Sequence, residues 1–426
     1  MKADFSTDYI DLNYRPTRRD LIAEYHIEPN GVSLRNAANH VAAESSIGTW
    51  TDIGTMDRAL ADRLKPSVFS IEGSLVKIAY KDELFEPGNM PQIWSAVAGN
   101  LFGMKDVSNI RLMDLHFPQS LMKSFKGPRY GIHGIRKLAK VKHRPLVGTI
   151  IKPKVGLDEK GHAEAAYEAW RGGLDIVKDD ENLTSMSFNK FQKRVIETVR
   201  MKNRAEKETG EKKFYMANVT AETMEMLRRV KFLENQRNEY CMLDILTAGW
   251  SALQSLRNST RLVIHAHRAG HAALTRNPVH GISMLTIAKT ARLIGVDQLH
   301  IGTASVGKMY EKADEAREIE QSIEKDSIKA HKDILSQSWA DKKPVLAVAS
   351  GGLHPGSIPK VIRLMGKDIV MQFGGGCHGH PGGTLSGAIA IRQAVDASMK
   401  GIGLNEYARA NHFYELKGAI VKFGIE

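Results

Sequence analysis

Two rhythms of apolar and polar positions divide the chain. In the first 127 residues, Leu21–Ile27, Val68–Ile71, Leu75–Tyr80 and Asn109–Leu115 are short apolar runs that read as strands. Between them lie two helical stretches, Ser33–Ala43, with Ser33 as its N-cap, and Met90–Ala98. That β-α-β-β-α-β order predicts a ferredoxin-like α+β domain over 1–127. From 128 to 426 strand and helix alternate. Eight strands are expected: Leu146–Ile151, Leu174–Val177, Phe214–Ala217, Tyr240–Leu246, Leu262–His265, Gln298–Ile301, Pro344–Ala349 and Asp368–Phe373. Helices such as Gly161–Trp170, Thr223–Phe232, Ile282–Leu293, Ile358–Leu364 and Leu385–Lys400 separate most of them. Eight β/α units over about 300 residues predict a (β/α)8 TIM barrel. No GxGxxG follows the first strand, which argues against a doubly wound sheet.

In a TIM barrel, chemistry lies at the C-terminal ends of the strands. Here those ends are charged or glycine-rich. The first runs into Lys152-Pro153-Lys154 and the second into Lys178-Asp179-Asp180-Glu181. The fifth ends in His265-Ala266-His267-Arg268, with His271 a turn later, and the sixth at His300, before a loop to Lys308. The seventh and eighth run into Ser350-Gly351-Gly352 and Gln372-Phe373-Gly374-Gly375-Gly376. Each group alone has a structural explanation: a salt bridge, a satisfied histidine, a turn. Their gathering at one end shifts the balance, because structural charges should fall equally at the opposite ends, and few are expected there.

Two carboxylates at a buried strand end suit a hard, oxygen-preferring cation such as Mg²⁺. A lysine beside them repels a cation unless it is neutralised or modified. Glycine loops after the last two strands let backbone N–H groups approach an anion. Lys152, Lys154, Arg268, His300 and Lys308 form a second anion-binding set. Two anion sites flanking a metal point to a bisphosphate, and a cation beside a sugar oxygen stabilises an enediolate.

With 42% hydrophobic and 25% charged residues, the composition is that of an ordinary soluble globular protein. No stretch reaches transmembrane length and no signal-peptide core opens the chain. Two cysteines, Cys241 and Cys377, give no disulfide framework, so a reducing cytoplasm is the simplest compartment. The net charge of +12 is scattered in mixed-sign runs, without a nucleic-acid-binding signature.

Eight segments in order resemble one family, the ribulose-1,5-bisphosphate carboxylase/oxygenase (RuBisCO) large chain. They are AAESSIGTWT (42–51), GNLFGMK (99–105), GTIIKPKVGL (148–157), GGLDIVKDDE (172–181), HAHRAGHAA (265–273), HIGTASVGK (300–308), ASGGLHPG (349–356) and QFGGGCHGHPGG (372–383). The resemblance implies Mg²⁺-dependent carboxylation of ribulose 1,5-bisphosphate to two 3-phosphoglycerate, with oxygen competing for the enediolate. It implies that Lys178 takes up an activating carbon dioxide as a carbamate and joins Asp180 and Glu181 as a metal ligand. Asp179 is not a matched ligand. Lys152 and His267 match proton-transfer residues, and Lys154 a lysine that polarises the substrate. Arg268 and His300 match groups holding one phosphate, and Lys308 the lysine that stabilises the incipient carboxylate. Ser350, Gly351, Gly352, Gln372, Phe373, Gly374 and Gly375 match the remaining substrate loops. Glu44, Thr49, Trp50 and Asn100 match residues that come from the neighbouring subunit, so a homodimer with shared sites, open to higher rings, is implied.

In Thr149-Ile150-Ile151-Lys152, isoleucine stands where plant-type chains carry a threonine closer to the lysine. The His300–Lys308 loop is one residue longer than in those chains, and no extended tail follows Phe423-Gly424-Ile425-Glu426. These features resemble the archaeal form III or II/III type, without small subunits and serving nucleotide salvage. The rival reading is a RuBisCO-like enolase or isomerase of sulfur salvage. Those proteins lose several substrate and loop residues, whereas Lys152, Lys154, His267, Arg268, Lys308 and the glycine loops are all present here. A non-catalytic basic binding protein gives no reason for lysines and acids to gather at strand ends.

Overall fold

The computed structural model describes residues 8–49, 51, 54–307 and 313–426. Trp50 and Lys308 lie outside the described residues. The chain forms two compact units, an N-terminal α+β unit and a closed parallel barrel.

The first unit holds residues 1–127 together with Gly270–Ile294 and Lys325–Lys342. Its sheet has five strands in the order Gly281–Ile282, Val107–His116, Asp20–Pro29, Leu75–Lys81, Ser67–Glu72. The last four are antiparallel in the expected ferredoxin-like order. Gly281–Ile282 adds a parallel edge. The expected helix near 282 therefore starts later, at Met284–Ile294, after this short strand. Ser33 caps the helix Leu34–Glu44, accepting a hydrogen bond from the Asn36 N–H at 3.2 Å. The helix Met284–Ile294 is buried all round, Lys289 included. The Lys289 ammonium is neutralised by Asp114, 2.6 Å away, which also accepts from the Leu115 and Leu335 N–H groups. Burial without such partners is prohibitive for an ion.

In the second unit, eight strands close in the order Leu146–Ile150, Ile176–Lys178, Phe214–Asn218, Tyr240–Asp244, Val263–His267, Gln298–His300, Leu346–Ser350, Ile369–Phe373. The expected strand Tyr240–Leu246 is shorter, because Asp244 ends it and Ile245–Ala248 turns helical. The second strand begins later than expected and includes Lys178. Leu174 still bonds back to the preceding helix through its N–H to the Ala169 carbonyl.

The interior divides along the barrel axis. Ile176, Phe214, Tyr240 and Val263, each opening its strand, pack with Leu346 into an apolar plug, closed below by Ile135 and Ala139 of the helix Gly131–Ala139. Polar side chains gather at the strand ends beyond it. The expectation of few charges at the opposite ends is corrected. Asp175 there takes a bidentate Arg144 pair at 2.6 and 2.7 Å, and Asp297 takes Arg257 at 3.0 Å. Both acids also accept backbone N–H groups of strand residues, Val147 and Ile264. They stitch neighbouring strands together, a role that spacing along the chain does not reveal. Among the described residues no helix is long and apolar enough to cross a membrane.

Candidate active site at the C-terminal end of the barrel

The second strand builds the centre. Strand alternation sends Lys178 inward and Asp179 outward. The Lys178 ammonium is fully buried, 2.9 Å from the Asp179 carbonyl oxygen and 3.6 Å from Glu181 Oε2. Burial pushes its pKa down, against the pull of the surrounding acids, of which Glu181 acts most strongly. Asp180 receives Lys152 Nζ at 2.6 Å. Burial raises its pKa, but the Lys152 hydrogen bond and the Asn182 donors outweigh that and hold the carboxyl below its usual range. Glu181 is likewise held low, burial being overcome by Lys178 and His267. Lys154 stands 3.8 Å from Glu181. Two ionised carboxylates thus face three lysines.

Asp179 does different work. Its carboxylate accepts from the Tyr215 hydroxyl at 2.7 Å, Arg194 Nε at 3.2 Å and the Asn218 N–H at 2.9 Å. All four residues are fully buried. His162 Nε2 lies 3.0 Å away without hydrogen-bond geometry, and burial keeps that ring neutral, with a pKa of about 4. Asp179 therefore anchors the strand end, so that its neighbours Asp180 and Glu181 are held at the mouth. The Asn218 amide adds a bond to the Glu181 carbonyl at 3.0 Å.

On the fifth strand, His267 Nδ1 lies 2.5 Å from Asp244 Oδ1, and its Nε2 is 3.8 Å from Glu181. With Asp244 on Nδ1, the ring turns Nε2 toward Glu181. His300 stands between His267 and His265, ring centroids 4.8 Å from each. Burial, reinforced by the neighbouring cationic side chains Lys178 and Arg268, takes the His300 pKa well below the ordinary range.

Two backbone loops border this cluster. Gly351 and Gly352 have φ +140° and +83°, following the half-buried Ser350. A Cβ on Gly307 would come within 2.3 Å of the Gly351 carbonyl, so only glycine lets the sixth-strand loop lie on the seventh. A Cβ on Gly374 would press on Lys152 Cε at 3.2 Å, whereas Gly375 opens onto free space. Gln372 and Phe373 keep their side chains buried. Their strand end offers the mouth the backbone of Gly374 and Gly375. The loop is tied down by Thr149, whose hydroxyl donates to the Phe373 carbonyl at 2.6 Å and meets His378 Nε2 at 3.0 Å.

The structure therefore brings together Lys152, Lys154, Lys178, Asp180, Glu181, His267, Arg268 and His300, with the glycine loops beside them. In the first unit, Asn100 Nδ2 donates to Glu44 Oε1 at 2.9 Å, joining residues 56 apart, and Thr49 is half-buried. Asp244, Asn218 and Thr149 were missed. The signal was present for the first two: a polar residue closes an apolar run in CMLD and in YMAN.

Asp180 and Glu181 fit a hard divalent cation in charge and donor type, and the three ammonium groups mark where positive charge is favoured. Among the described residues no cluster of three or more His, Cys, Asp or Glu side chains forms a metal site.

Residues 8–121 match the family model for the N-terminal domain of the ribulose bisphosphate carboxylase large chain, and residues 131–423 match its catalytic domain. The chain is 52% identical to ribulose bisphosphate carboxylase of Methanosarcina mazei over 98% of its own length and 99% of that protein. It is 48% identical to the Pyrococcus abyssi enzyme of the same name over 100% and 98%. It is similar to the octameric RuBisCO from Pyrococcus horikoshii, solved with sulfate, with TM-score 0.90, 48% identity and coverage of 98% and 96%. It is also similar to the dimeric archaeal RuBisCO from Hyperthermus butylicus, with TM-score 0.92, 44% identity and coverage of 98% and 99%.

Proposed function

The chain belongs to the ribulose bisphosphate carboxylase large-chain family, and on that premise we propose that it carboxylates ribulose 1,5-bisphosphate through an enediolate, with Mg²⁺ and a carbamate on Lys178. The observation that carries this reading is the fully buried Lys178 beside two ionised carboxylates. Its lowered pKa favours the neutral amine, whose lone pair attacks carbon dioxide. The product is an anionic oxygen ligand and a released proton. When bound, Mg²⁺ held by that carbamate, Asp180 and Glu181 supplies positive charge for developing oxyanions of the substrate.

The remaining steps fall to the chain's own groups. Arg268, His300 and the backbone N–H groups of Gly351, Gly352, Gly374 and Gly375 hold the two phosphates. Removal of the proton from the third carbon gives the enediolate, and carbon dioxide adds at the second carbon. Water adds at the third carbon, and cleavage between the two carbons gives one 3-phosphoglycerate and a carbanion. Lys152 donates the proton that completes the second 3-phosphoglycerate, with His267, oriented by Asp244, as the other proton carrier. Lys154 polarises the substrate, and Lys308 meets the incipient carboxylate. Molecular oxygen competes at the second carbon. We assign the chain to the form III or II/III type serving nucleotide salvage in the cytoplasm. Its functional unit is a homodimer without small subunits, in which Glu44, Thr49, Trp50 and Asn100 complete the partner's site.

The test is fixation of ¹⁴C-bicarbonate with ribulose 1,5-bisphosphate and Mg²⁺ under anaerobic conditions. Acid-stable 3-phosphoglycerate from the wild type and none from Lys308→Ala is expected. A folded protein that enolises a phosphorylated substrate without fixing carbon would move the chain to the RuBisCO-like group.

A further inference from the structure

Below the mouth of the barrel runs a line of buried polar side chains that touches the reacting region only at its last member. Gln298 and His265 face each other across the sixth and fifth strands. His265 Nδ1 lies 2.9 Å from Gln298 Oε1, and His265 Nε2 lies 2.8 Å from His300 Nε2. At the far end, Gln298 Nε2 is 3.4 Å from the Tyr240 hydroxyl. All four residues are at most 5% exposed.

Burial keeps both rings neutral, His265 with a pKa of about 3 and His300 well below the ordinary range. Each ring then carries one N–H, and the contact between the two Nε2 atoms needs one donor and one acceptor. Two arrangements satisfy it. With the Gln298 oxygen toward His265, the His265 proton sits on Nδ1, His300 donates from Nε2, and His300 Nδ1 is left a bare lone pair. With the amide turned by half a rotation, Gln298 donates to His265 Nδ1 and His265 donates to His300. The His300 proton then sits on Nδ1. The two ends of an amide are nearly isosteric, so the half-turn keeps every heavy-atom position.

Tyr240 selects between them. Its hydroxyl is fully buried, and burial keeps it protonated. Among the described residues its only hydrogen-bonding partner is the Gln298 amide. An NH₂ group cannot accept from a hydroxyl, whereas a carbonyl oxygen can. Only the turned amide gives the buried O–H an acceptor.

We propose that Gln298 is a positioning residue: through His265 it fixes His300 as the tautomer protonated on Nδ1, the form that donates to a phosphate oxygen. A lone pair at that atom would repel the same oxygen. The proposal rests on the reading above that His300 holds a substrate phosphate.

Neutron diffraction from deuterated crystals of the whole enzyme, soaked with inorganic phosphate as the probe, tests it without mutation. Phosphate at His300, with deuterons on His300 Nδ1 and His265 Nε2 and none on His265 Nδ1, is the expected result. Phosphate at His300 with deuterons on His265 Nδ1 and His300 Nε2 overturns the relay and leaves the anion role of His300 standing. Deuterons on both nitrogens of His300 mean a charged ring and also overturn it. Phosphate bound elsewhere removes the underlying reading and the proposal together. In kinetics, Gln298→Leu and His265→Leu are each expected to raise KM for ribulose 1,5-bisphosphate about tenfold, as for one lost hydrogen bond to a charged group, with kcat nearly unchanged. The double variant is expected to be no worse than either single one. Additive losses, or a fall in kcat at constant KM, would mean that the two residues act separately or only as core.

Discussion

Asp244 shows how one carboxylate orients the ring proposed above as a proton carrier. At 2.5 Å from Nδ1 of His267, it holds that nitrogen as the donor and turns Nε2 toward Glu181. Asp244→Asn is expected to lower kcat by about 10²–10⁴-fold, the range for a mispositioned acid–base group, with little change in melting temperature. Rates and thermal melts of the same preparation check this. A parallel loss of stability would make Asp244 a packing residue instead. The contrast with Asp179, one residue from the proposed ligands yet facing Arg194 and Tyr215, is a matter of strand parity. The KDDE motif alone does not separate the ligand from the anchor.

At the scale of elements, the helix Ala313–Glu324 ends with one buried and one half-buried acid. Glu320 and Glu324 are one turn apart, and each has a carboxylate oxygen without a hydrogen-bond partner. Burial raises Glu320 to about 7. Burial and the neighbouring Glu320 raise Glu324 to about 9. Folded-state values above the unfolded ones mean that folding favours the protonated acids. Their stability contribution is complete below about pH 4.5 and is lost as pH rises through about 7 and 9. Glu324→Gln is expected to match the wild type at pH 5 and to melt several degrees higher at pH 9. Melts at both pH values decide the matter, and equal curves at pH 9 would show that the carboxyl is already solvated. The helix Met284–Ile294 makes a second case. Lys289 neutralises Asp114, and Leu335 donates to the same carboxylate, so the fragment 1–127 lacks two of the three partners of a fully buried acid and keeps only the Leu115 N–H. Removing one partner of a buried pair costs about 3–5 kcal/mol. The isolated fragment is expected to be unfolded by circular dichroism and NMR dispersion, whereas a folded one would show that the later segments only decorate the sheet.

For the whole molecule, the decisive expectation is that no single chain completes a site. Lys152→Ala and Asn100→Ala are each expected to be inactive alone. Mixing and refolding them together should restore about a quarter of wild-type activity, because heterodimers keep one intact site. No recovery in verified heterodimers would put the whole site on one chain. Sedimentation should show dimers or multiples of dimers, in keeping with the dimeric and octameric assemblies of the similar archaeal enzymes.

Local pattern along the chain was enough to specify the two-part architecture. Strand period, helix period and the Ser33 cap are local signals, and the eight motifs carry the family with its candidate residues. Legible too was the gathering of charge at strand ends, because barrel topology maps position along a strand onto one face. Tertiary structure alone decided the rest. Asp244 acquires its role from a side chain 23 residues away, and Asn218 from a backbone carbonyl 37 residues away. Gly281–Ile282 joins a sheet whose other strands lie more than 160 positions earlier. Gln298 gains meaning only from Tyr240 and His265, its neighbours across the barrel. Periodicity reports which face a residue occupies, whereas hydrogen-bond partners are set by strand register and closure, which no local pattern encodes.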